Sequence, residues 1–162
     1  MEGIKANIVF NRDDICSFAL KQYHKLYVHG KFGPSTFDCA GFVWYVYNYL
    51  YGIDILKDGY GLSTTTMMMT SRYGVLTLYN YGYKDISLIK KGDIVFLHRQ
   101  SLNDSEPKVN NKYPGHCGIY LGNSRFIHAS GTKKKVLINT FNSEYWLNKL
   151  VGSKDLEKDI FT

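Results

Sequence analysis

The stretch Phe37-Asp38-Cys39-Ala40-Gly41-Phe42 (FDCAGF) stands between a Gly/Pro loop and an apolar run. Gly30, Gly33 and Pro34 break the chain ahead of it. From Cys39 onward the apolar positions Phe42, Val43, Val46 and Leu50 recur at three- and four-residue steps. That is the period of a helix with one buried face, so a helix is predicted from Cys39 to about Tyr51. Asp38 then falls at the N-cap, where a carboxylate accepts a first-turn N–H. Cys39 lies on the inward face at the first turn, where the peptide dipoles concentrate positive charge. A thiol in that place is either ordinary core or a nucleophile, and the remainder of the chain decides between them.

Upstream, Asp13 and Asp14 are helix-start residues before an apolar pattern of Ile15, Phe18, Ala19, Gln22 and Leu26, which predicts a helix through that segment. Downstream, Lys57 to Lys84 is rich in Gly, Thr, Tyr and Met and reads as a long excursion. It holds one short helix, started by Ser63 or Thr64 and running to about Tyr73. The run Met67-Met68-Met69 is read as gap-filling core. After Gly92 the pattern changes to strands: Asp93 to Leu97, His116 to Leu121, Phe126 to Ser130 and Val136 to Phe141. A polar loop is expected over Asn103 to Pro114, a helical turn over Ser143 to Lys149, and a last strand over Leu150 to Ser153.

The hairpin HCGIYLGNSRFIHAS carries two histidines. A three-residue turn, Gly122-Asn123-Ser124, pairs Tyr120 with Phe126 and Gly118 with His128. Strand side chains alternate, so His116, Gly118, Tyr120, Phe126 and His128 share one face, and Cys117, Ile119, Leu121, Ile127 and Ala129 the other. A two-residue turn would split the histidines. Thiolate is the reactive form of cysteine, and a helix N-terminus beside an imidazolium lowers the thiol pKa. A histidine within hydrogen-bonding distance takes the proton and later returns it to a leaving amine, while a third polar group orients its ring. Cys39, His116 and His128 have the types and inferred faces for those roles, and Cys117 is excluded by its face. The three would also suit zinc, but no short C-x-x-C or H-x-x-x-H pair supports a metal, and no cofactor is called for.

The 162 residues are one domain's worth, with the motif-bearing part at about 13–154 and no internal repeat. Fourteen tyrosines among 44% hydrophobic residues argue against disorder. A net charge of +6 favours acidic partners, although the only dense basic cluster, Lys133-Lys134-Lys135, reads as a solvated turn. Three cysteines without paired spacing make a poor disulfide framework. No signal peptide and no membrane span are seen in the sequence.

These residues resemble the NlpC/P60 cysteine peptidases, which cleave bacterial cell-wall peptides. Tyr27-Val28-His29-Gly30, Gly33-Pro34 and Phe37-Asp38-Cys39-Ala40-Gly41 follow the first family block. Lys91 to Leu97 is similar to the second, and His116 to Gly122 with Phe126 to Ala129 to the third. Leu150-Val151-Gly152 resembles the closing strand. The resemblance implies a papain-like α+β fold with the nucleophile helix packed on an antiparallel sheet. It implies Cys39 as nucleophile, His116 as general base, His128 orienting His116, and Tyr27 at the oxyanion or substrate. Asp38 and Ala40 would be substrate-binding positions. The implied reaction cleaves the D-glutamyl-γ-diamino acid bond of peptidoglycan stem peptides through an acyl-enzyme. Alternatives on the same scaffold are an N-acetylmuramoyl-L-alanine amidase, an acyltransferase, or a non-catalytic wall-binding or phage-tail module. Partners are then peptidoglycan and anionic wall polymers, without nucleic acid or membrane insertion, reached after lysis, phage delivery or dedicated export. Three departures stand out: Ala40 replaces the usual serine, Lys31 the second glycine, and the usual Pro-Arg is absent between Gly52 and Ser63.

Overall fold

In the computed structural model, which describes residues 9–79, 86–99, 108–109 and 111–157, Asn11 caps the first helix. Its side chain accepts the N–H groups of Asp13 and Asp14, and α1 runs over Arg12–Leu20. The predicted start at Asp13 or Asp14 is therefore displaced to Asn11, and the predicted continuation to Leu26 does not occur. The chain reverses at His24, where φ is 72°. Leu26 lies 61% exposed in a short strand, not on a buried helical face. That strand, β1 (Leu26–Tyr27), pairs in parallel with β2 (Thr36–Phe37).

Helix α2 spans Cys39–Tyr51, as its apolar period predicts, and stops at Gly52 in the left-handed conformation. Helix α3 (Thr64–Thr70) begins at Ser63, whose side chain accepts the Thr66 N–H. Met68 and Met69 are buried in the core, as expected, whereas Met67 of the same run is only partly buried. The C-terminal end of α3 is held by a buried lysine: Lys154 Nζ donates to the carbonyls of Met68, Met69 and Ser71. Strand β3 (Val75–Leu78) lies inside the segment read as an excursion. It is a mostly exposed edge strand, so burial imposes no alternation that the sequence would show. Residues 80–84 of that excursion, and 103–107 and 110 of the polar loop, lie outside the described residues.

The remaining strands are β4 (Ile94–Leu97), β5 (His116–Gly122), β6 (Arg125–Ser130), β7 (Lys135–Thr140) and β8 (Leu150–Asp155), with α4 (Glu144–Leu147) before the last. They form one sheet in the order β2-β1-β7-β6-β5-β4-β8-β3, antiparallel except between β1 and β2. Alternation divides the sheet into two buried faces. Ile94, Phe96, Cys117, Ile119, Ile127, Ala129 and Val136 pack in the same cluster as α2. Val95, Leu97, Tyr120, Phe126 and Leu150 form the second cluster, closed by Phe141 and Trp146.

The β5–β6 turn differs from the predicted one. It is a two-residue turn at Asn123-Ser124, both with positive φ (51° and 63°), and Gly122 pairs with Arg125. A register shift between Tyr120 and Gly122 takes up the extra residue, so Tyr120 still faces Phe126. The bulge restores what a two-residue turn alone would lose, and both histidines keep one face.

Gly41 shows how tightly the entry to α2 is built. A Cβ there would press into the Lys31 carbonyl oxygen and lie 2.8 Å from Asp38 Oδ1 and 2.9 Å from Phe32 Cα. Two of these neighbours are backbone and cannot swing aside. Gly41→Ala is expected to cost at least about 2 kcal/mol of stability by chemical denaturation. An unchanged unfolding midpoint would contradict this packing.

Candidate active site

Cys39 opens α2 and is 7% exposed, with its Sγ 3.8 Å from Thr65 Oγ1 and 4.0 Å from the Gly115 carbonyl oxygen. The thiol titrates well below its ordinary value. A hydrogen bond from the Cys117 thiol is the main cause, and the hydrogen bond and positive charge of His116 add to it against the cost of burial. Cys117 moves the opposite way, raised by its own burial and by the neighbouring Cys39. It therefore remains a thiol and donates to the Cys39 thiolate, while Thr65 Oγ1 lies 3.9 Å from its sulfur.

The sequence denied Cys117 the catalytic roles because its face is opposite to that of the histidines. The faces are as predicted, and the thiol is fully buried with its pKa raised, but the opposite face does not keep it away from Cys39. Helix α2 packs on the Cys117 face, so this side chain lies under Cys39. His116 is the first residue of β5 and reaches the thiol from the strand end.

The two histidines meet edge to face, with His116 Nε2 and His128 Nδ1 separated by 2.7 Å. His128 Nε2 lies 2.7 Å from Asn139 Oδ1. An amide oxygen only accepts, so His128 carries its proton on Nε2 and offers the Nδ1 lone pair to the His116 Nε2–H. That leaves His116 Nδ1 for the thiol. Trp146 stands edge-on to the His128 ring at 5.2 Å between centroids. His128 is 1% exposed, and burial, with the charge of His116, pushes its pKa down to about 3. The ring hydrogen-bonded to His116 is therefore neutral at ordinary pH.

Tyr27 is half-buried in β1; burial raises its pKa, and Arg99 donates a hydrogen bond to its hydroxyl near Cys39. Asp38 caps α2 as expected: Oδ1 accepts the Gly41 N–H at 2.6 Å, and Oδ2 the Gly30 N–H at 3.1 Å. Its pKa is raised, chiefly by burial. Ala40 has no exposed surface and packs in the core. A cleft of about 290 Å³ opens beside the histidines, walled by His116, His128, Arg99, Tyr145, Trp146 and Lys149. Among the described residues, no three His, Cys, Asp or Glu side chains are grouped to hold a metal ion.

Three residues that sequence reasoning passed over are Asn139, Thr65 and Arg99. Asn139 had a signal: it pairs with Phe126, one alternate position from His128, on the predicted face. Thr65 and Arg99 had none, because only the packing of α3 and the end of β4 bring them to the site.

The shift of His128 sets a pH dependence. An ordinary histidine binds a proton near pH 6.5, whereas folded His128 resists protonation down to about 3. The unfolded chain therefore binds the extra proton between those values, and stability present above pH 6.5 is lost as pH falls toward 3. His128→Gln is expected to flatten this part of the acid limb in denaturation free energies. An equal slope in both proteins would contradict the buried neutral ring.

The NlpC/P60 family model matches residues 24–155. The probable peptidoglycan endopeptidase LytE of Bacillus subtilis is 32% identical over 128 residues, covering 79% of this chain and 29% of that protein. The murein DD-endopeptidase MepH of Escherichia coli is 29% identical over 136 residues, covering 83% of this chain and 42% of that protein. The chain thus spans less than half the length of either relative. Among solved structures, the NlpC/p60 domain of the peptidoglycan hydrolase SagA aligns with a TM-score of 0.62 at 24% identity. That alignment covers 90% of this chain and 99% of the other, and shows the shared papain-like α+β fold. With the family model matching most of its length, from β1 to β8, the chain belongs to the NlpC/P60 family.

Proposed function

We propose that this chain is a cysteine-dependent amide hydrolase that cleaves stem peptides of bacterial peptidoglycan. The observation that carries the reading is the relay Cys39–His116–His128–Asn139 at the N-terminus of α2. Each member has one defined partner, and the order is that of a nucleophile, a base, a ring that orients the base, and an amide that fixes the tautomer.

The reaction follows from those contacts. The Cys39 sulfur attacks the amide carbonyl carbon while His116 holds the thiol's proton on Nδ1. The Tyr27 hydroxyl and the Cys39 N–H, which has no partner within its own helix turn, are assigned to the developing oxyanion. The C–N bond then breaks, and the His116 proton passes to the departing amine. Water attacks the thioester, His116 takes one of its protons, and the C–S bond breaks to restore the Cys39 thiolate beside protonated His116, while the product acid gives its remaining proton to solvent as the carboxylate. His128 stays neutral throughout and accepts the Nε2–H of His116, which steadies the imidazolium.

The printed names of LytE and MepH support peptidoglycan as the substrate. The bond assigned is that between the γ-carboxyl of D-glutamate and the diamino acid. The name of MepH favours a second reading, a D,D bond. Ala40 offers no hydroxyl to the free amino end of the stem peptide, so that end is not held from this position. The net charge of +6 assists approach to an anionic wall.

Purified protein is expected to release new amino groups from isolated peptidoglycan, and Cys39→Ala to abolish the release with the fold intact. Mass spectrometry of the fragments identifies the bond. His116→Ala is expected to lower kcat about 100-fold or more, and His128→Ala by less. Equal activity of wild type and Cys39→Ala would overturn the reading.

A further inference from the structure

The cleft opens beside the two histidines and lies against His116. His116 delivers a proton to the leaving amine, so the amine-side fragment must lie against that ring. The cleft is walled by His116 and His128, which makes it the side that receives the leaving fragment. Its volume of about 290 Å³ suits a short peptide fragment.

Its charge is of one sign. Arg99 and Lys149 line it, and no cleft-lining residue among those described is acidic. Neither cation has a carboxylate partner among the described residues. Lys149 Nζ sits 4.7 Å over the ring of Tyr145, a contact that keeps the ammonium on the cleft wall. The field is felt by His98, whose pKa is lowered by burial and then by Lys149 and Lys112.

The fold fixes both cations near the nucleophile. Leu97 pairs with Leu150, and the His98 N–H donates to the Lys149 carbonyl at 2.7 Å, so Arg99 and Lys149 leave from adjacent strand ends. The Arg99 N–H donates to Tyr113 at 3.0 Å. A Cβ on Gly115 would lie 3.1 Å from Arg99 Cβ, and the Gly115 carbonyl is 4.0 Å from Cys39 Sγ. Only one backbone residue therefore separates Arg99 from the thiol.

We propose that Arg99 and Lys149 form a carboxylate-binding subsite for the leaving fragment, selecting stem peptides whose diamino acid carries a free side-chain carboxylate. The identity of the fragment rests on the endopeptidase reading above. Trp146 and Tyr145 supply the apolar wall along which the methylene chain of such a residue lies. A diamino acid without the carboxylate, or with a carboxamide in its place, leaves the two cations unmatched.

The test uses two synthetic tripeptides, L-Ala-γ-D-Glu-diamino acid, with the side-chain carboxylate free in one and a carboxamide in the other. Wild type is expected to favour the carboxylate in kcat/KM by about tenfold or more, as a charge-assisted hydrogen bond would give. In the double variant Lys149→Gln/Arg99→Gln the ratio is expected to fall to within about twofold of one. The ratio cancels any general loss that follows from the Arg99 contact with Tyr27. Binding of the same peptides to Cys39→Ala protein, with and without the two Gln substitutions, is measured by calorimetry and is expected to show the same ratios. No preference in wild type, or an undiminished preference in the double variant, overturns the subsite. If neither peptide is cleaved, the endopeptidase reading fails, and the binding ratio still decides the subsite.

Discussion

Asp38 accepts the N–H of Gly41 with one carboxylate oxygen and the N–H of Gly30 with the other, and this bridge ties the first turn of α2 to the loop before it. The loop closes on the same residue from the other side, since the Asp38 N–H donates to the Lys31 carbonyl at 2.8 Å. The Val28 N–H donates to the Phe37 carbonyl at 3.0 Å, which fixes β1 and so Tyr27. Gly41 allows the approach because its place has no room for a side chain. The position of Cys39 relative to Tyr27 thus follows from one buried carboxylate and one absent methyl group.

The electrostatics of the site depend on that placement. Burial alone would raise the Cys39 thiol, yet it titrates low because Cys117, His116 and Thr65 all stabilise the thiolate. His128 does the reverse, staying neutral so that His116 Nε2 has an acceptor rather than a competing donor. The relay requires that ring to be neutral, and Asn139 secures this by accepting from its Nε2–H. The cations of the cleft stand on the wall that it shares with His116 and His128.

Much of this was legible in the residues. The period from Phe42 to Leu50 gives α2, and alternation along the two strands of the His116 to Ser130 hairpin puts both histidines on one face. The face survives only because the register shift near Leu121 compensates the shorter turn, a detail that no pattern of apolar residues encodes. Leu26 fits a helical period but lies in a strand, because His24 has already turned the chain. Cys117 was assigned the right face, but its nearness to Cys39 was not foreseen: which face α2 covers is a tertiary fact. Thr65, Arg99 and Lys149 reach the site through the ends of elements far apart in the chain, and local sequence carries no trace of that meeting.

The central claim is that Cys39 exists as a thiolate paired with the His116 imidazolium. The most direct measurement is the rate of Cys39 alkylation by iodoacetamide against pH, read by peptide mass spectrometry to separate it from Cys16 and Cys117. The account expects a midpoint well below the ordinary thiol value of 9.0 in wild type, moving back toward it in His116→Ala. A midpoint near 9.0 in both proteins would contradict it.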